Sequence, residues 1–168
     1  MKQADIVTLY DYNYWATRRI LDAAGRVTQE QFAAHTAFPR GSLRGTLLHV
    51  LDAEYGWRAL LQYSREEPDL TEADFPTLKL IENRWREEES AMRAFLDSLD
   101  DNKVGGIIRY MNPQGIKRER VLWHGLFHVV NHGTQHRSEA AAMLTDFGQS
   151  PGDFDFSIFT VQYLQRAS

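Results

Sequence analysis

A chain of 168 residues, 43% hydrophobic and 25% charged, has the size and make-up of one soluble globular domain able to bury a core without staples. A net charge of −4, a pI near 5.8 and no basic stretch beyond the short Lys117-Arg118-Glu119-Arg120 argue against a broad nucleic-acid surface. The absence of cysteine excludes disulfides, thiolate ligands and a cysteine nucleophile, so a metal must be held by nitrogen or oxygen and any reacting thiol must come from outside.

The N-terminal Met1-Lys2-Gln3-Ala4-Asp5 lacks the charged and apolar regions of a signal peptide. No run approaches the roughly 18 continuous apolar residues of a membrane span. A cytoplasmic protein with no membrane partner is the expectation. The first segment reads as a helix from Gln3 to Ala24, with Ile6, Leu9, Tyr10, Ile20, Leu21 and Ala24 as its inner stripe and Gly25 as C-cap. Asn13 and Thr17 share that stripe. They read as a hydrogen-bonded core pair, the commoner fate of buried polar groups, or as the lining of a polar ligand pocket.

Residues 25–41 form a connection through the turn-rich Phe38-Pro39-Arg40-Gly41, and Ser42 then suits an N-cap for a second helix to Tyr63. This helix is apolar on more than one face and therefore mostly buried. His49, in line with Thr46, Ala53, Trp57 and Leu60, points inward. A polar, acidic loop from Ser64 to Pro76 leads to a third helix, Thr77 to Leu99, whose seam is Leu78, Ile81, Trp85, Met92, Phe95 and Leu99. Glu88 takes the one seam position without an apolar residue, reaching solvent or standing near a metal.

Ile107–Met111 and Ile116–Arg118 flank Asn112-Pro113-Gln114-Gly115, the signature of a hairpin closed by a type I turn. A fourth helix follows from Val121 to Phe147, stopped by Gly148 and Pro151, and a short element from Phe154 to Leu164 packs back. The fold class expected is all-α: a four-helix bundle with a small β-hairpin between helices three and four and a short C-terminal element, in a single domain over residues 1–168.

Four of the six histidines fall on the fourth helix as His124, His128, His132 and His136, each four residues after the last. Residues four apart stack on one helix face with a drift of roughly 40° per step. Several neutral imidazoles on a buried stripe need many partners, and a metal ion supplies them. The whole row sweeps about 120°, so only neighbours converge on one point. Spacing alone leaves three pairs, of which His132 and His136 lie nearest the apolar continuation Ala140, Met143 and Leu144. His49 is the evident third ligand from another helix. His128 then lines the pocket or supports the ligands, His124 is exposed or capping, and His35 is a surface residue. Gly133 follows His132 where zinc-peptidase helices carry their glutamate base, which disfavours peptidase activity.

The segments Tyr12-Asn13-Tyr14-Trp15-Ala16, Leu47-Leu48-His49-Val50-Leu51, Leu126 through Arg137, and Ala142-Met143-Leu144 through Ser150-Pro151-Gly152-Asp153 resemble the DinB/YfiT-like family of bacterial proteins. The resemblance spans nearly the full length, and the fourth-helix stretch is its specific part. It implies a four-helix bundle holding a divalent metal through His49, His132 and His136. Members of the family often have glycine and glutamine after the arginine, where this chain has Ser138 and Glu139. Relatives include bacillithiol S-transferases and the mycothiol-dependent maleylpyruvate isomerase, and homodimers are common among them, so the resemblance implies a homodimer here.

Three neutral imidazoles leave a metal's charge uncompensated and a position open, as in catalytic rather than structural sites. Zinc or nickel is the expected ion, with iron or manganese as other imidazole-compatible candidates. Such an ion can bring a bound water to a pKa of about 7 or hold a thiol as its thiolate. The leading expectation is therefore transfer of a low-molecular-weight thiol to an electrophilic small molecule, with His128 or Asn13 lining the pocket. A metal-dependent hydrolase of a small ester or amide is the second, and a non-catalytic metal- or ligand-binding stress protein the third. Glu54, Glu88 and Glu139 are the candidate bases.

Overall fold

The chain is described by a computed structural model covering residues 1–65, 67–112 and 115–167, with side chains to Gln162. Its four long helices are α1 (Gln3–Ala24), α3 (Leu43–Tyr63), α4 (Leu78–Asp97) and α6 (Leu122–Asp146). Helix α6 packs on α3 and α1, and α4 packs on the same two, so the ring α1–α6–α3–α4 closes into a four-helix bundle. The helix bounds follow local chemistry. The Ser42 hydroxyl accepts from Gly45 N at 2.9 Å and starts α3. Helix α6 ends at Gly148, whose φ of +73° turns the chain out of the helix while Gln149 N returns to Leu144 O at 2.8 Å.

Two short helices were not foreseen: α2 (Gln29–Ala33) and α5 (Asp101–Gly105). Thr28 and Gln31 form a reciprocal capping box on α2, and Asp100 accepts from Lys103 N at 2.8 Å on α5. Strands β1 (Ile107–Met111) and β2 (Lys117–Val121) pair antiparallel, Ile107 opposite Val121 and Met111 opposite Lys117. The second strand is thus longer than the expected Ile116–Arg118 and runs straight into α6. Leu122 N donates to Gly106 O at 2.9 Å across that junction. The expected turn type falls on Pro113 and Gln114, outside the described residues. Helix α7 (Phe156–Ala167) lies against α1, where the Phe156 ring meets Tyr12 edge-on at 5.1 Å and Phe159 sits 5.7 Å from Trp15. No described helix is long and apolar enough to cross a membrane.

The core divides into two apolar clusters. One gathers Tyr10, Tyr14, Met92, Phe95, Leu126 and Val130, and the other Leu43, Leu47, Leu51, Ile81, Trp85 and Met143. Between them, at mid-height on each long helix, lies a buried polar layer of Asn13, Thr17, Glu54, Arg58, Glu88 and Arg137. Charged groups survive at such depth only when paired. Glu88, with no exposure at all, accepts from Arg58 through both oxygens, Nη2 to Oε2 at 3.0 Å. It neither reaches solvent nor stands beside the histidines.

Candidate metal centre

Three histidines converge from two helices. His49 projects from α3, and His132 and His136 from successive turns of α6. Their ligand atoms lie within 4.8 Å of one another, so the cluster could hold a metal ion. The rings meet edge to face with centroids 4.5–4.8 Å apart, which turns nitrogens toward a shared point. His49 Nε2 and His132 Nε2 are 3.1 Å apart. Two nitrogens each about 2.05 Å from a tetrahedral zinc would stand about 3.3 Å apart, so the pair already has close to the required spacing.

The protonation states suit the same purpose. His49 and His132 are each brought down to about 4, first by burial, then by Arg40 and His136 for His49 and by the neighbouring imidazoles for His132, so both offer lone pairs at neutral pH. His136 is oriented from behind, its Nδ1 lying 2.7 Å from Glu139 Oε2. With that N–H given to the carboxylate, Nε2 is left as the ligand atom, the usual arrangement of a metal-binding histidine. Glu139 is thereby engaged with one of the three convergent histidines.

The remaining expected residues occupy other ground. His128 sits beside the triad, its ring 5.8 Å from His132 and 4.8 Å from Trp57. Burial and then Arg120 lower its pKa. His124 is exposed against Trp123, and His35 is exposed. Asn13 is 1% exposed within the polar layer. Its amide donates to Glu54 Oε2 at 3.2 Å and its carbonyl accepts from Arg137 Nη1 at 2.5 Å. Arg137 also reaches Thr17 Oγ1 at 3.4 Å, so Asn13 and Thr17 are joined through a guanidinium rather than to each other. Glu54 accepts the Tyr14 hydroxyl at 2.5 Å, yet burial outweighs its hydrogen bonds and lifts its pKa to about 7.

Sequence reasoning did not single out Arg137 or Arg58. A lone arginine in a helix ordinarily reads as surface, and only the neighbouring Gly133 offered a signal. A Cβ at Gly133 would lie 2.6 Å from Arg137 Nη1 and 3.1 Å from Asn13 Oδ1. Gly133 therefore makes room for the guanidinium, which gives it a structural reason independent of the chemistry at His132.

A cleft of about 480 Å³ opens between the outer face of α3, the loop after it and the hairpin. The histidine ligand atoms lie outside its lining, but Trp57 belongs to both the cleft wall and the contact with His128. Ala53, Trp57 and Leu60, which the sequence aligned with His49, all line it.

Comparison with known proteins agrees with this architecture. The profile of the DinB family matches residues 1–164. The chain is similar to Protein DinB of Bacillus subtilis (strain 168), 24% identical over 165 residues, covering 90% of this chain and 91% of that protein. With a helical bundle around a convergent histidine cluster and a family match over nearly its whole length, the chain belongs to the DinB family.

Proposed function

We propose that this protein is a divalent-metal-dependent enzyme that joins a low-molecular-weight thiol to an electrophilic small molecule. The observation that carries this reading is the donor set: three convergent imidazoles, two of them held neutral, in a chain without cysteine. Held by these three histidines, a divalent ion would supply Lewis acidity and lower the pKa of a bound thiol. His49, His132 and His136 are the ligands, and Glu139 fixes the His136 ring. His128, beside the triad on the cleft side, offers a proton acceptor.

The buried carboxylates are already engaged and offer neither reaction a free base. Glu54 and Glu88 are fully committed in the polar layer, and Glu139 is hydrogen-bonded to a ligand. None of the three is left as a free general base, and a metal-held thiol or water would ionise without one, so hydrolysis stands as the second reading.

Metal content by plasma mass spectrometry, followed by paired assays on zinc- and nickel-loaded protein, tests the reading. Near one divalent ion per chain is expected, lost on changing His132 and His136 to alanine. The loaded protein should consume monochlorobimane only when a thiol is supplied. Thiol-independent ester cleavage would instead assign a hydrolase, and a filled site with neither activity would leave a binding protein.

A further inference from the structure

Residues 117–120 have no role in the metal centre, yet the fold gives them one. Pairing of Tyr110 with Arg118 and Ile108 with Arg120 puts both arginines on one face of the hairpin, while Arg109 and Glu119 pair with each other at 2.7 Å on the opposite face. The face bearing Arg118 and Arg120 forms one wall of the 480 Å³ cleft. Arg120 is pre-set: its guanidinium lies 5.0 Å from the Trp57 ring, and its Nε and Nη2 donate to the Tyr110 hydroxyl at 3.2 and 3.0 Å. Arg118 is exposed and makes no ion pair among the described residues.

The opposite wall has the other sign. Asp52, Glu67 and Asp69 line it. Asp52 uses one oxygen to accept Leu70 N at 2.7 Å, which fixes its carboxylate and leaves the second oxygen open. Glu67 is already paired with Arg65 at 2.7 Å. The floor between the walls is apolar and aromatic, made of Ala53, Gly56, Trp57 and Leu60. A volume of about 480 Å³ lies within the ~300–1,000 Å³ usual for small-molecule sites. Ala53, on the cleft floor, is one helical turn beyond His49, about 6 Å along α3.

We propose that this cleft binds an amphoteric molecule of amino-acid or short-peptide size. Its carboxylate meets Arg118 and Arg120, its ammonium meets Asp52 and Asp69, and its apolar body lies over Trp57. A planar guanidinium fork suits a carboxylate, and a fixed carboxylate suits an ammonium. A molecule of only one charge would leave one wall unanswered. The inference leans on the proposed reaction in one respect only, that the bound molecule is the one carrying the thiol.

Binding of the thioether S-methylglutathione to metal-free protein, followed by Trp57 fluorescence or proton–nitrogen NMR, tests the cleft apart from the chemistry. Binding is expected to be about fivefold tighter than that of N-acetyl-S-methylcysteine, which has only the carboxylate, or S-methylcysteamine, which has only the ammonium. Arg118→Gln and Asp69→Asn, both at exposed positions that leave the core intact, should each weaken it by about the same factor. His132→Ala should leave it unchanged while abolishing thiol turnover. Equal affinity for all three probes, indifference to Arg118→Gln and Asp69→Asn, or no binding at tens of millimolar would overturn the proposal. Charge-selective binding without thiol-dependent turnover would keep the cleft and reject the reaction.

Discussion

Single side chains set the properties of the histidine cluster. Glu139 stands where relatives often carry glutamine, and it accepts the His136 Nδ1–H at 2.7 Å. A carboxylate there is a charged acceptor for the ring N–H, while an amide preserves the geometry and loses the charge. Glu139→Gln should therefore weaken metal binding by about tenfold, and Glu139→Ala by up to about a hundredfold, in competition with a chromophoric chelator. Unchanged affinity in both would remove Glu139 from any role in the centre. Gly133 is the second such residue. Alanine would gain up to about 1 kcal/mol in helix propensity, but its Cβ would displace the Arg137 guanidinium from Asn13. A buried charged donor left without its acceptor costs about 2–3 kcal/mol, so Gly133→Ala should lose about 1–2 kcal/mol in urea denaturation. A gain in stability would show that the guanidinium can shift freely.

At the level of elements, the long helices were legible because each carries an apolar stripe over five or more turns and ends on a readable cap such as Ser42 or Gly148. The helices α2 and α5 are too short for periodicity to show, although Thr28-Gln29-Glu30-Gln31 is a capping box in plain view. The histidine spacing left three pairs open, because convergence depends on where α3 places His49. The resemblance selected the pair that the rings bring together. The polar layer was legible only in part: Asn13 and Thr17 fall on the inner stripe of α1 and Glu88 on the seam of α4. Their partners Arg58 and Arg137 look like surface positions until α3, α4 and α6 pack together. That layer makes a sharp expectation for the α3–α4 contact. Glu88→Ala would strand the buried Arg58 charge and cost about 3–5 kcal/mol. Replacing both, as Arg58→Met with Glu88→Leu, should recover most of that loss. If the double variant is as unstable as the single one, the pair matters for packing rather than charge.

The molecule as a whole inherits a pH dependence from the same layer. Glu54 titrates near 7 when folded, against about 4.5 for an ordinary glutamate. Its folded pKa is raised, so its contribution is fully present below about 4.5 and is lost as pH rises through 7. Between those limits the unfolded chain has released a proton that the folded chain retains, and stability should fall by about 3 kcal/mol from this group. Glu54→Gln should flatten the slope between pH 5 and 8, read as urea midpoints across that range. An identical slope in the variant would mean that Glu54 is already ionised in the fold, held so by Tyr14, Asn13 and Arg137.

The hairpin enters α6 without an intervening loop, since β2 ends at Val121 and the helix begins at Leu122. The two arginines and the histidine row are thus points on one uninterrupted piece of chain, fixed in rotation relative to each other. One residue inserted at that junction would swing the row by about 100° and carry His132 and His136 away from His49 while the hairpin stayed in place. The loop from Ser64 to Pro76, on the opposite wall, is under no such phase constraint. Changes of length there leave the rotation of the histidine row untouched. On the hairpin side the spacing must be kept, and change can come only by substitution.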